Sequence, residues 1–189
     1  MTELKREHRA LPEWTKQAEN VVLETRVFDV VEREMTSSEG QSGRFVCVRP
    51  PDWVNVVALT PSGELVLIEQ FRQGIEALTL EIPGGMVDPG ERPAEAAARE
   101  LLEETGYKGA APVEVGTVHP NPAIQSNRTL TYLVTDATRV EAPSFDGNER
   151  CRLVLAPWDG ANALIDSGAI THSLVVCGIG FAQRFLKRG

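Results

Sequence analysis

The chain of 189 residues carries 19 Lys and Arg against 27 Asp and Glu, a net charge of −8, with 42% hydrophobic and 24% charged residues. That length supports one domain with a substantial core plus a terminal extension, and the composition is that of an ordinary globular protein. The acidic balance excludes a chain that tracks a nucleic-acid backbone, which needs a basic surface to release counterions.

Residues 1–19 are polar and predict a loosely held tail, and the opening MTELKREHRALPEW lacks the apolar core of a signal peptide. VVLETRVFDVVEREM, Val21 to Met35, is rich in β-branched residues and predicts one strand; SSEGQSG then turns the chain into RFVCV, so a hairpin is expected over about residues 20–50. WVNVVALT and ELVLIEQFR flank the turn Pro61-Ser62-Gly63 and predict a second hairpin. TLEIPGGMVDPGE passes from a short strand into a loop punctuated by Pro83, Gly84, Gly85, Pro89 and Gly90. A helix follows from about Arg92 to Thr105, with Pro93 in its first turn and Gly106 as its stop. Strands are expected near 113–118, 129–134 and 152–155, and helices near 158–167 and 172–187. Strands on both sides of one central helix, with helices at the end, predict an α/β sandwich rather than a doubly wound sheet.

Cys47, Cys151 and Cys177 are odd in number, widely spaced and without a CxxC pair, which predicts reduced thiols and a cytoplasmic setting. The longest apolar stretch, Ser173 to Phe181, is too short to span a bilayer, so no membrane partner is expected. His8, His119 and His172 have no partner at ligand spacing and read as structural or exposed.

RELLEETGY, Arg99 to Tyr107, is the stretch that folding alone does not explain. Carboxylates near a helix C-terminus oppose the macrodipole at roughly 0.3–1 kcal/mol each, and like charges at i,i+4, as in Glu100 and Glu104, add a few tenths more. On a wheel of about 100° per residue, Glu104 lies about 40° to one side of Glu100 and Glu103 about 60° to the other. The three share one narrow face with Ala96, beside a stripe of Ala94, Ala97, Ala98, Leu101 and Thr105; Arg99 stands at i,i+4 from Glu95 and Glu103. Hard divalent cations such as Mg2+ take oxygen ligands from one or two carboxylates plus substrate phosphates. A metal face and a plain solvated acidic face are both open at this point.

The flanking residues single out a family. Gly85, five residues, Glu91, seven residues, then Arg99-Glu100-Leu101-Leu102-Glu103-Glu104-Thr105-Gly106-Tyr107 resembles the Nudix box in full, with Tyr107 aromatic where an aliphatic is usual. Gln70-Phe71-Arg72 and Glu81-Ile82-Pro83-Gly84-Gly85 resemble segments of the ADP-ribose pyrophosphatase branch, with Gly84 in place of its usual alanine. The resemblance implies an α+β fold, an α/β/α sandwich with a mixed sheet over residues 51–189 and an N-terminal β-hairpin extension within 1–50 that serves dimerisation. It implies hydrolysis of a nucleoside diphosphate linked to another moiety, with Mg2+ or Mn2+ as cofactor and a homodimer as the assembly.

Carried over by position, Glu100 and Glu104 are the main metal ligands, Glu103 a further ligand or a partner of Arg99, and the Gly84 carbonyl a backbone ligand. Glu91 ties the loop down, Gly106 ends the helix, and Arg99 steadies the acidic array. Arg72 faces substrate phosphate or ribose or makes a surface ion pair; Trp53 lies against the base or plugs the core; Gly85 adjoins substrate. The branch often takes its general base from an acidic loop after the post-box strands, here SFDGNERC, which makes Glu149 the first candidate, Asp146 the second and Glu103 the third. The segment His119 to Arg128 departs from the usual post-box loop, so other nucleoside diphosphate sugars stay open, and Arg128 itself reads as a strand anchor. The competing readings are a hydrolase of modified nucleotides or dinucleoside polyphosphates, and a non-catalytic ligand sensor.

Overall fold

The computed structural model describes residues 10–145 and 150–188, which fall into two compact units. One comprises the chain up to Pro50 together with Asn121–Ser126. It contains β1 (Trp14–Glu24), β2 (Asp29–Ser37) and β3 (Ser42–Arg49), joined in that order as an antiparallel sheet. The expected hairpin is thus a three-stranded meander, and two of the expectations for it are corrected. Residues 14–19 are strand rather than tail, and the single strand over 21–35 is broken by a turn. No Gly, Pro, Asn or Asp marks that turn. The Thr25 hydroxyl closes it by accepting the Val27 and Phe28 N–H groups at 3.3 and 3.0 Å, which is the local competition that threonine offers the ladder. Polar β1 is held by charge: Glu19 accepts from Arg33 and Arg49, each at 2.7 Å. Within this unit the Val48 N–H also donates to Ile124 and the Ser126 N–H to Val48.

The other unit, Pro51–Pro120 with Asn127–Gly189, is built on a seven-stranded sheet. Its strands are β4 (Trp53–Leu59), β5 (Glu64–Arg72), β6 (Ala77–Glu81), β7 (Gly84–Met86), β9 (Val113–Val118), β10 (Thr129–Val134) and β12 (Cys151–Pro157). The main path runs β12-β5-β4-β10-β9, with β6 on β5 and β7 on β4. Only β4 and β10 pair in parallel, Trp53 opposite Thr129 through Ala58 opposite Val134, so the sheet is mixed as expected. A minor pair, β8 (Tyr107–Lys108) with β11 (Thr138–Arg139), flanks it. Gly84–Met86, read as loop, is instead a short strand. Gly84 can lie there only as glycine, because an added Cβ would stand 2.2 Å from the Val54 carbonyl oxygen.

Strand alternation sorts the apolar side chains onto two faces. Val54, Val56, Ala58, Val66, Leu130, Tyr132 and Val134 pack with Ala96, Ala97 and Leu101 of α1 (Pro93–Thr105). Val57, Leu65, Leu67 and Leu133 pack on the other face with Ala161 of α2 (Ala161–Asp166) and with Val175, Ile179 and Ala182 of α3 (Ser173–Leu186). The result is the three-layer sandwich, with a short 3-10 turn at Trp158–Gly160 leading into α2.

Helix α1 begins at Arg92, whose extended backbone lets the Glu95 side chain accept its N–H at 3.2 Å, and Pro93 sets the first turn. It ends at Gly106, left-handed at φ 74°, whose N–H donates to the Leu102 carbonyl at 2.7 Å. A Cβ at Gly106 would also lie 2.1 Å from the Glu141 carbonyl oxygen. Gly106→Ala is therefore expected to destabilise the fold by at least the cost of a non-glycine in this region, about 1–3 kcal/mol. Urea unfolding that finds the variant as stable as the parent would contradict this account of the helix stop.

Candidate active site

The wheel places three glutamates on one face, but the structure makes them unequal. Ala96 is buried and Ala98 exposed, the reverse of the stripe expected from the sequence, so the helix is rolled with its Glu100 edge inward. The Glu100 side chain is 14% exposed and that of Glu103 is 45% exposed. Glu100 lies over Gly85, where an added Cβ would meet its carboxylate at 2.2–2.6 Å. Glu104 accepts the Gly84 N–H at 2.9 Å. The two glycines of β7 thus allow two carboxylates of α1 to approach bare backbone.

Arg99 is the centre of the site. Its Nε and Nη2 donate to the two Glu91 oxygens, each at 3.0 Å, and Nη2 also donates to the Met86 carbonyl at 3.0 Å. Nη1 reaches Glu100 at 2.8 Å and Glu103 at 3.1 Å. One planar fork therefore joins the strand, the loop and the helix, a task suited to arginine and beyond a lysine point charge. The Glu91 hydrogen bonds from Arg99 hold its carboxyl below the usual range against some burial, helped by the Asp88 N–H at 3.1 Å. Hydrogen bonds to charged groups contribute roughly 1.5–3 kcal/mol each, whereas i,i+4 repulsion costs a few tenths. Arg99 and the Gly84 amide thus offset much of the cost that the acidic cluster imposes on α1.

The oxygen donors fit a hard divalent cation: the carboxylates of Glu100, Glu103 and Glu104 lie along one helix face, with Glu100 set directly over Gly85. Among the described residues no three His, Cys, Asp or Glu side chains are already gathered as an ion cage; the Glu100 and Glu103 carboxylates accept from Arg99 and that of Glu104 from the Gly84 amide.

A second acidic centre lies at the end of β6, where sequence reasoning saw only a motif. Glu81 is 2% exposed. Arg72, expected at the substrate, donates Nε and Nη2 to the two Glu81 oxygens at 2.8 and 2.7 Å, and the Thr79 hydroxyl donates at 2.6 Å. His172 Nδ1 stands 3.4 Å from the same carboxylate, at ion-pair distance for a protonated ring. Burial pushes the Glu81 carboxyl upward, but Arg72, then His172 and Thr79, outweigh it and hold the group well below the usual carboxylate range. The available signal was period two: Gln70 and Arg72 oppose Thr79 and Ala77 across a hairpin, which puts Arg72, Thr79 and Glu81 on one face.

Trp53 begins β4, and its indole N–H donates to Asn55 Oδ1 at 3.2 Å, while the buried Asn55 amide donates to the Leu174 carbonyl at 3.0 Å. Arg128 is a strand anchor: its guanidinium and backbone N–H all donate to Asp52. His119 Nδ1 lies 3.3 Å from the Asn127 carbonyl, a structural contact. The candidate bases Asp146 and Glu149, and His8, lie outside the described residues. The segment that carries the bases is bracketed by contacts to α1: the Ser144 N–H donates to the Glu103 carbonyl at 2.8 Å and the Cys151 thiol to that of Glu104 at 3.3 Å.

Residues 49–171 match the family described as NUDIX domain. The chain belongs to the Nudix family, and it is a pyrophosphohydrolase. An ADP-ribose pyrophosphatase of Bacillus subtilis (strain 168) is 25% identical to it over 167 residues, 88% of this chain and 90% of that one. An ADP-sugar pyrophosphatase of Mus musculus is 36% identical over 112 residues, 59% of this chain and 48% of its own length. The crystal structure of an ADP compounds hydrolase shares the fold at a TM-score of 0.82 and 24% identity, covering 95% of this chain and 97% of the other.

Because the folded-state pKa of Glu81 is depressed, its carboxylate contributes stability above the unfolded value of about 4.3 and loses it as pH falls below. Urea unfolding between pH 7 and pH 3 is expected to show a steeper acid loss in the parent than in Glu81→Gln. Parallel pH profiles would sink this assignment.

Proposed function

We propose that the chain hydrolyses the pyrophosphate bond of ADP-ribose or a related nucleoside diphosphate sugar with Mg2+ or Mn2+, releasing a nucleoside monophosphate and a sugar phosphate. The observation that carries this reading is the Arg99 junction, which sets Glu100 over Gly85 beside Glu104 at the Gly84 amide. The ADP-ribose and ADP-sugar pyrophosphatases among its relatives support the substrate class.

Glu100 and Glu104 would be the main ligands, with Glu103 and the Gly84 carbonyl completing the set. A divalent cation, if bound there, would neutralise charge on the diphosphate and lower the pKa of a bound water. Glu149 is the base that takes the proton from the attacking water, with Asp146 and Glu103 as the other candidates. The water oxygen bonds to phosphorus, and the bridging P–O bond breaks with its electron pair going to the departing phosphate. Arg72 faces the diphosphate or terminal ribose, Trp53 the base, and Gly85 leaves room for the substrate against the backbone.

Purified protein with Mg2+ is expected to release AMP from ADP-ribose faster than it turns over ADP-glucose, GDP-mannose, NADH, FAD, a diadenosine polyphosphate or 8-oxo-dGTP. Glu104→Gln should lose that activity by orders of magnitude. Preference for another compound would move the substrate class, and an active Glu104→Gln would remove the ligand assignment.

The assembly proposed is a homodimer through the three-stranded sheet, supported by the exposed Val22, Leu23 and Val46, at 64%, 55% and 61%. Sedimentation velocity should give twice the chain mass, and a monomer at micromolar concentration would overturn the dimer.

A further inference from the structure

The Glu81 cluster is built with more care than stability requires. Glu81 Oε1 accepts from Arg72 Nε and from the Thr79 hydroxyl, Oε2 accepts from Arg72 Nη2, and His172 Nδ1 approaches Oε2. A buried ion pair of this kind roughly breaks even against well-packed apolar side chains, so the fold alone gives weak reason to place a charged carboxylate there. The pair does confer orientation. A bidentate fork fixes the plane of the guanidinium as well as its position, and each partner of Glu81 removes a further degree of freedom. Thr79 comes from the same strand, two residues earlier, and His172 is the residue on which α3 begins. Arg72 and His172 are the outer members, their side chains 33% and 36% exposed against 3% for Glu81. The cluster therefore grades from a buried anchor to a guanidinium that reaches solvent. From Glu81 the chain continues through Ile82 and Pro83 into Gly84, whose N–H holds Glu104.

We propose that Glu81 is a positioning residue that aims Arg72 at the substrate, with Thr79 and His172 holding Glu81 in turn. The inference rests on the reading of Arg72 as a substrate-facing group. Glu81 touches no reacting atom; it acts by keeping the Arg72 fork in the plane that receives the diphosphate or ribose oxygens, so its loss is felt in binding more than in the chemical step.

The test is a double-mutant cycle in steady-state kinetics on the full chain with Mg2+ and the preferred compound of the panel. Arg72→Ala and Glu81→Gln are each expected to raise KM on the order of 10- to 100-fold, the effect of losing a hydrogen bond to a charged group, with kcat changed far less. The double variant should be no worse than Arg72→Ala alone. Thr79→Val, which removes one donor to Glu81, should raise KM in the same direction by a smaller factor. It also stands in for Glu81→Gln if that variant does not fold by circular dichroism. If KM rises for Arg72→Ala but stays at the parent value for Glu81→Gln and Thr79→Val, the inference fails and the role of Arg72 stands. Additive losses in the double variant would likewise overturn it, because Glu81 would then act independently. An unchanged KM in Arg72→Ala would remove the reading of Arg72 and the inference with it. So would absence of turnover by the parent chain.

Discussion

A single guanidinium sets the geometry on which the site depends. Arg99 reaches β7 through the Met86 carbonyl, the loop before α1 through Glu91, and the helix face through Glu100 and Glu103. Neither the strand nor the helix alone could place Glu100 over Gly85, since the two are joined by a loop of six residues, Val87 to Arg92, with its own freedom. The fork removes that freedom with charge-assisted bonds that are short and directional. It also explains why the helix tolerates three carboxylates in its last two turns: a positive charge sits among them before any cation is bound.

Much of this was legible in the sequence, and particular residues show why. Glu91, Arg99 and the glutamates stand at a spacing that a loop followed by a helix brings together, so the box announces its local structure. Gly106 as a helix stop follows from its chemistry alone. The sandwich was expected from strands on both sides of one central helix with helices at the end; in β4, β5 and β10 the structure adds that a residue's parity decides which core it joins.

What stayed hidden depends on contacts between segments far apart. The turn at Thr25 carries no turn composition, because a hydroxyl closes it. The strand character of Gly84–Met86 is a property of its partner β4. The roll of α1, which buries Ala96 and turns Ala98 out, is set by the sheet beneath it. Glu81 looks from sequence like one residue of a motif, and only burial reveals that it commands Arg72. Local pattern reports what a segment prefers; these features were decided by what the segment meets.

The parallel pairing of β4 with β10 has a consequence for how the enzyme is made. Asp52 and Arg128, joined at the start of those strands, are 76 positions apart in sequence, and the whole box lies on the chain between them. Contacts of such separation form late, because the entropy of closing the loop must be met before the pairing rewards it. The loop and helix of the box are therefore enclosed within the segment that the central pairing ties off. A chain that ends before β10 holds every residue of the box and lacks Leu130, Tyr132 and Val134, which join Ala96, Ala97 and Leu101 of α1 in one core.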